Sequence, residues 1–144
     1  MSTGLPVFDT TVQESNAWLK SIEAGLPPCD RQQAYAAFRA VGHVLRDRLP
    51  MDAVLGLSAQ LPMLLRGTFL EGWRPVGDPL DARTVDAFAA EIERRFPPAF
   101  PRRGNEAAEA VFGVMADQLD PGESRKLLER LPRPLRALWP TGVA

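Results

Sequence analysis

Two Leu-Pro steps, Leu61-Pro62 and Leu131-Pro132, stand 70 residues apart, and each is followed by a leucine-arginine pair, Leu65-Arg66 and Leu135-Arg136. Pro27-Pro28 returns at the same spacing as Pro97-Pro98. Laid over each other without a gap, residues 16–69 and 86–139 agree at 16 positions, about 30% of the overlap, and most other apolar positions exchange for apolar ones. A chance match rarely keeps register over so long a span. The period exceeds the roughly 20–50 residues of solenoid repeats, so two copies docked face to face about an approximate two-fold are expected rather than an open stack. The boundaries follow: copy one at about 8–72, a connector at about 73–82 and copy two at about 83–140, together one domain.

Each copy reads as four helices, because apolar residues recur at three and four and no stretch alternates in the manner of a strand. The fold class predicted is all-α. Asp9, Thr10 and Thr11 are cap candidates for the first helix, with Glu14 completing a capping box, and Val12, Trp18, Leu19, Ile22 and Leu26 form its buried stripe. Asp30 with Gln33 starts the second helix, whose apolar face runs Ala34, Phe38, Val41, Leu45 and Leu49. Pro50 and Pro62 each open a new helix, since proline lacks an N–H and is tolerated only in a first turn. Val54, Leu55, Leu57 and Leu61 belong to the third helix and Met63, Leu64, Leu65 and Phe69 to the fourth, which Gly72 ends. Gly72, Pro75, Gly77 and Pro79 give the connector its composition. In copy two, Val85, Phe88, Ile92 and Phe96 form one stripe. Asn105 caps the helix of Ala108, Val111, Val114, Met115 and Leu119. Asp120-Pro121 starts a third carrying Leu127, Leu128 and Leu131, and Pro132 and Pro134 open a last turn through Leu135, Leu138 and Trp139.

With 17 basic and 18 acidic residues in 144, no global electrostatic partner is implied, and nucleic acid binding is disfavoured. Cys29 is the only cysteine, which excludes an intrachain disulfide and fits a reducing cytoplasm. No run approaches the ~20 apolar residues of a membrane span, and the first residues lack the pattern of a secretory leader.

Three polar pairs survive in both copies: Glu23/Glu93, Asp47/Asp117 and Arg66/Arg136. A polar residue kept twice answers a need of each copy, and the expectation is structural. Asp47 pairs with Arg66, and Asp117 with Arg136, fixing each proline corner against the long helix through a directional guanidinium-carboxylate contact. Other features occur once. Glu71, Trp73 and Arg74 have counterparts only at Thr141, Val143 and Ala144, and with Gln60 and Arg66 they define a candidate groove for an acidic or aromatic ligand or for a partner; the alternative is a Trp73 that plugs the seam between copies. Arg125, Lys126, Arg130, Arg133 and Arg136 form a candidate basic patch against Glu129 alone.

His43 and Cys29 are too few to supply a triad or a zinc site, so no catalytic residue, cofactor or metal is assigned. On a helical wheel His43 lies with Arg39 and Arg46, away from the apolar stripe, solvated or facing a groove. Cys29, matched by Ala99, reads as a small turn residue. Gly42 marks a close helix crossing, because glycine inside a helix costs about 1 kcal/mol against alanine.

The strings F-D-T-T-V-Q-E-S-N-A-W-L at Phe8 to Leu19, D-R-Q-Q-A-Y-A-A-F-R-A-V at Asp30 to Val41, L-R-D-R-L-P at Leu45 to Pro50, A-Q-L-P-M-L-L-R-G at Ala59 to Gly67 and E-G-W-R-P at Glu71 to Pro75 carry a likeness. Together they resemble the bacterial proteins grouped as domain of unknown function 2267, over nearly the whole chain and more closely in the first copy. The resemblance implies a duplicated, all-helical fold in small cytoplasmic proteins. It brings no activity and no catalytic residue. The function expected is non-enzymatic association, with a second copy or a protein partner, through the arginine-rich surface or the Trp73 seam. A small-molecule or enzymatic groove is the alternative, and nucleic-acid binding by the basic patch a weaker one.

Overall fold

Proline sets the corners of this chain. The computed structural model describes residues 2–75 and 79–141, and among them every regular element is helical. They are α1 (Pro6–Ala24), α2 (Arg31–Arg48), α3 (Met51–Ser58), α4 (Met63–Leu70), α5 (Val85–Arg94), α6 (Gly104–Gln118), α7 (Pro121–Arg130) and a closing 3₁₀ helix (Arg133–Leu138). Pro50, Pro62 and Pro132 occupy the extended position before α3, α4 and the 3₁₀ helix, and Pro121 opens α7. Gly72 follows α4 with a positive φ of 71°, a conformation costly for a side chain bearing a Cβ. Gly77 of the expected connector lies outside the described residues, as do Val143 and Ala144.

The helix ends recur at the repeat spacing. α1 and α5 stop at Ala24 and Arg94, α2 and α6 at Arg48 and Gln118; α3 and α7 start at Met51 and Pro121, α4 and the 3₁₀ helix at Met63 and Arg133. The difference is 70 in each case, as in 94 − 24. Packing follows the same correspondence. α1 lies on α2 as α5 lies on α6, α1 also touches α6 as α5 touches α2, and the like elements α2 and α6, and α3 and α7, meet each other. Between them sits one core, in which Ile22, Phe38, Leu45, Phe69, Phe88, Ile92, Phe112 and Met115 are fully buried. Each such side chain contributes about 1.5–3 kcal/mol relative to exposure.

Several local expectations hold and others need correction. Asp30 and Gln33 form the expected capping box. The first helix, however, starts earlier than its threonines imply: Pro6 is the first helical residue, Thr10 Oγ1 donates back to the Pro6 carbonyl, and the buried Thr11 hydroxyl accepts from Leu64 N–H at 3.3 Å. Asn105 does not cap α6; Glu106 reaches back to Arg103 N–H at 2.9 Å, and Gly104 is already helical. A Cβ on Gly104 would fall on the Ala89 carbonyl, so glycine is what lets α6 start against α5. The expected crossing at Gly42 is present: a Cβ there would stand 3.2 Å from the Phe69 ring. Among the apolar residues of the third and fourth helices, Leu55, Met63 and Leu64 are about half exposed, and Val12, expected in the buried stripe, is only partly covered.

Candidate functional site

The repeated polar residues act in ways their spacing does not show. Glu23 accepts from Arg31 Nε at 2.8 Å and Glu93 from Gly104 N–H at 2.7 Å, so both carboxylates hold the first residue of the next long helix. Favourable charge at a helix N-terminus explains their shared retention. The expected Asp47–Arg66 tie is absent. Arg66 instead donates to the carbonyls of Ser58 at 2.9 Å and Leu61 at 3.1 Å, closing the C-terminal end of α3. Asp47 receives Arg46 Nε at 3.1 Å and Arg95 Nη2 at 3.4 Å, the latter linking α2 to α5. Asp117 and Arg136 are both exposed, and no ion pair joins them among the described residues.

A polar cluster between α2 and the end of α4 was not anticipated as a unit. His43 is 6% exposed and its Nε2 lies 2.7 Å from the Thr68 carbonyl, the nitrogen donating. Arg46, 7% exposed, donates Nη1 to the carbonyls of Phe69, at 2.9 Å, and of Glu71. Arg39 Nε meets the Glu71 carboxylate at 2.9 Å, and the Tyr35 and Thr68 hydroxyls are 3.1 Å apart. Side chains one turn apart on α2 thus supply donors where α4 ends: Arg46 to the Phe69 and Glu71 carbonyls, and His43 to that of Thr68, which also accepts from Glu71 N–H. His43 is therefore neither solvated nor in a groove. Burial, with the Arg46 and Arg39 guanidiniums nearby, pushes its pKa below the ordinary value, against the opposing pull of Thr68 and Glu71.

The candidate groove divides. Gln60 stands in a cleft between α3 and α7, Arg66 is spent on α3, and Glu71 is tied to Arg39 at the surface. Trp73 packs partly against the core, and with Arg74 it edges a separate depression beside Arg46, Asp47 and Pro50. The structure does not bring these five together. The basic patch divides too. Arg130 makes a two-pronged contact with Asp52 at 2.6 and 3.0 Å, Lys126 pairs with Glu123 at 3.3 Å, and Arg125, Arg133 and Arg136 stay exposed. Cys29 is buried, and desolvation raises its thiol pKa, which disfavours the thiolate.

The α3/α7 cleft has a volume of about 410 Å³. Ala53, Gly56, Leu57, Ala59, Leu119 and Leu127 are its apolar lining, and Asp52, Gln60, Glu123, Lys126, Glu129 and Arg130 its polar one. Sequence reasoning placed only Gln60 in a groove and assigned Lys126 and Arg130 to a patch. The usable signal was the repeat itself, which sets Gly56 against Lys126 and Gln60 against Arg130.

Among the described residues no three His, Cys, Asp or Glu side chains converge as a metal site, and no helix is long and apolar enough to cross a membrane. No curated protein matches the chain. The profile of domain of unknown function 2267, an uncharacterised conserved protein, matches residues 15–138. With nearly the whole chain covered, from the first helix through the closing 3₁₀ turn, the protein belongs to that family.

Proposed function

We propose that this chain is a duplicated four-helix unit, its copies related by an approximate two-fold, whose role is non-enzymatic association with a second copy of itself. Helix ends that recur at the repeat spacing and a packing pattern that maps each copy on the other support the duplication. The observation that carries the association is an asymmetry of surface. Among the described residues the large hydrophobic side chains that stand exposed, Leu5, Val7, Phe8, Tyr35, Met51, Leu55, Met63 and Leu64, all belong to the N-terminal half.

Part of this surface is contiguous. The Leu64 N–H bonds to Thr11, one turn beyond Val7 and Phe8, and Thr68, bonded to the Leu64 carbonyl, meets the Tyr35 hydroxyl. Exposed apolar clusters rimmed by charge mark association surfaces. The oppositely charged Arg39 and Glu71 border it on the same side and can exchange partners across a two-fold, and a formal net charge of −1 sets up little repulsion between copies. The surface invoked is the α1/α4 face rather than the arginine patch or the Trp73 seam. A single buried cysteine accords with a cytoplasmic setting.

Sedimentation equilibrium tests the reading. A dimer is expected at tens of micromolar, with Leu64→Asp and Phe8→Asp giving folded monomers. A wild-type chain that stays monomeric to about a millimolar ends it.

A further inference from the structure

We propose that the α3/α7 cleft is a binding site for a small organic amine with an apolar body. This inference stands apart from the association surface, which lies on α1 and α4. Its volume, about 410 Å³, falls within the roughly 300–1,000 Å³ of small-molecule pockets.

The two walls of the cleft are unlike. Ala53 and Gly56 on α3, with Ala59 just past its end, line the cleft opposite Glu123, Lys126 and Glu129 on α7, the positions 70 residues on. Long side chains on both walls would fill the space; small ones on α3 leave it open. Gly56 is the telling residue. It sits inside a helix, where only proline is less favourable, yet a Cβ there would meet nothing within 4 Å. Close packing does not explain it, and room over the leucine floor does.

Charge selects the occupant. The two cations are engaged, Arg130 by Asp52 and Lys126 by Glu123. Glu129 is the third carboxylate of the lining, and no cation stands within ion-pair distance of it among the described residues, although Arg125 and Arg136 share a neighbouring depression with it. The rim therefore carries one unneutralised negative charge, beside the Gln60 amide and above Leu57, Leu119 and Leu127. An ammonium at Glu129 with an aryl or alkyl body on the leucines satisfies both.

Titration of the isotope-labelled full chain with tryptamine, and separately with indole-3-propionate, tests it by amide NMR at pH 7. Saturable shifts at Gly56 and Ala53 are expected, with tryptamine binding about three- to five-fold more tightly, the scale of one exposed charge pair. Glu129→Gln should erase that preference while leaving weak binding of both. Gly56→Leu, whose side chain enters open space, should abolish the shifts with the melting temperature unchanged or raised. Absence of saturable shifts, tighter binding of the carboxylate, or undiminished binding by a folded Gly56→Leu chain would overturn the proposal.

Discussion

The two corners of this molecule solve one problem with different chemistry. In the N-terminal half the chain turns at Pro62 into a regular α-helix whose last carbonyls accept from His43 and Arg46 reaching across from α2. In the C-terminal half the positions corresponding to those donors are Gly113 and Ala116, and the segment after Pro132 winds as a tighter 3₁₀ helix. A 3₁₀ segment bonds residues three apart, and Leu135 and Trp139 N–H close onto the Pro132 and Arg136 carbonyls in this way. Where a neighbouring helix offers donors, a corner can be an ordinary α-helix; where it offers only methyl groups and hydrogens, the segment satisfies itself. The apolar contacts trade places as well. Gly42 admits Phe69 in one half, whereas Phe112 meets Trp139 in the other with ring centroids 5.5 Å apart.

The contrast can be broken most directly at Arg46. Arg46→Met keeps the aliphatic stem and removes the donors to Phe69 and Glu71. Leaving these carbonyls short of partners should cost about 2–3 kcal/mol in urea denaturation. A loss below about 0.5 kcal/mol would mean the α4 end does not depend on α2.

His43 sharpens the comparison through pH. Its folded pKa lies below the ordinary 6.5, so the unfolded chain binds the proton more readily. The stabilisation is complete above pH 6.5 and is lost as pH falls from there through the depressed folded value. His43→Gln should flatten that part of the stability profile, with a cost of about 1 kcal/mol at pH 8 from the altered hydrogen bond to Thr68. A wild-type profile flat between pH 7 and 5 would contradict the buried neutral imidazole.

The smallest effect separates the repeated arginines. Arg66→Ala should lose about 1 kcal/mol through its bonds to the Ser58 and Leu61 carbonyls, and Arg136→Ala, exposed, should stay within about 0.5 kcal/mol. Equal losses would mean the two corners are held alike after all.

Much of the fold could be read from local chemistry. Proline corners at Pro50, Pro62 and Pro132 and the Asp30/Gln33 box depend on residues adjacent in the chain, so spacing was enough to place them. The polar site was less legible because its bonds join residues far apart. His43 looked solvent-facing on a wheel drawn for a helix with one buried side. α2 is instead packed by α1, α4, α5 and α6, and every residue from Ala40 to Arg46 is buried. The repeat showed that Asp47 and Arg66 matter without showing what each touches, since both sit within reach of several partners and a backbone carbonyl leaves no mark in the sequence. Leu55 and Leu64 show a different limit: helical periodicity registers an apolar residue, not whether a neighbour covers it.

The unequal walls of the α3/α7 cleft bear on how such a molecule can evolve. Under the duplication proposed above, a homodimer of single units would set any lysine against an identical helix, and a mutation that opened one wall would open both. In one polypeptide the two walls vary independently, so one can carry Ala53, Gly56 and Ala59 and the other Glu123, Lys126 and Glu129. A polar, lopsided recess is then open to natural selection at a spot where an exact two-fold would set like against like.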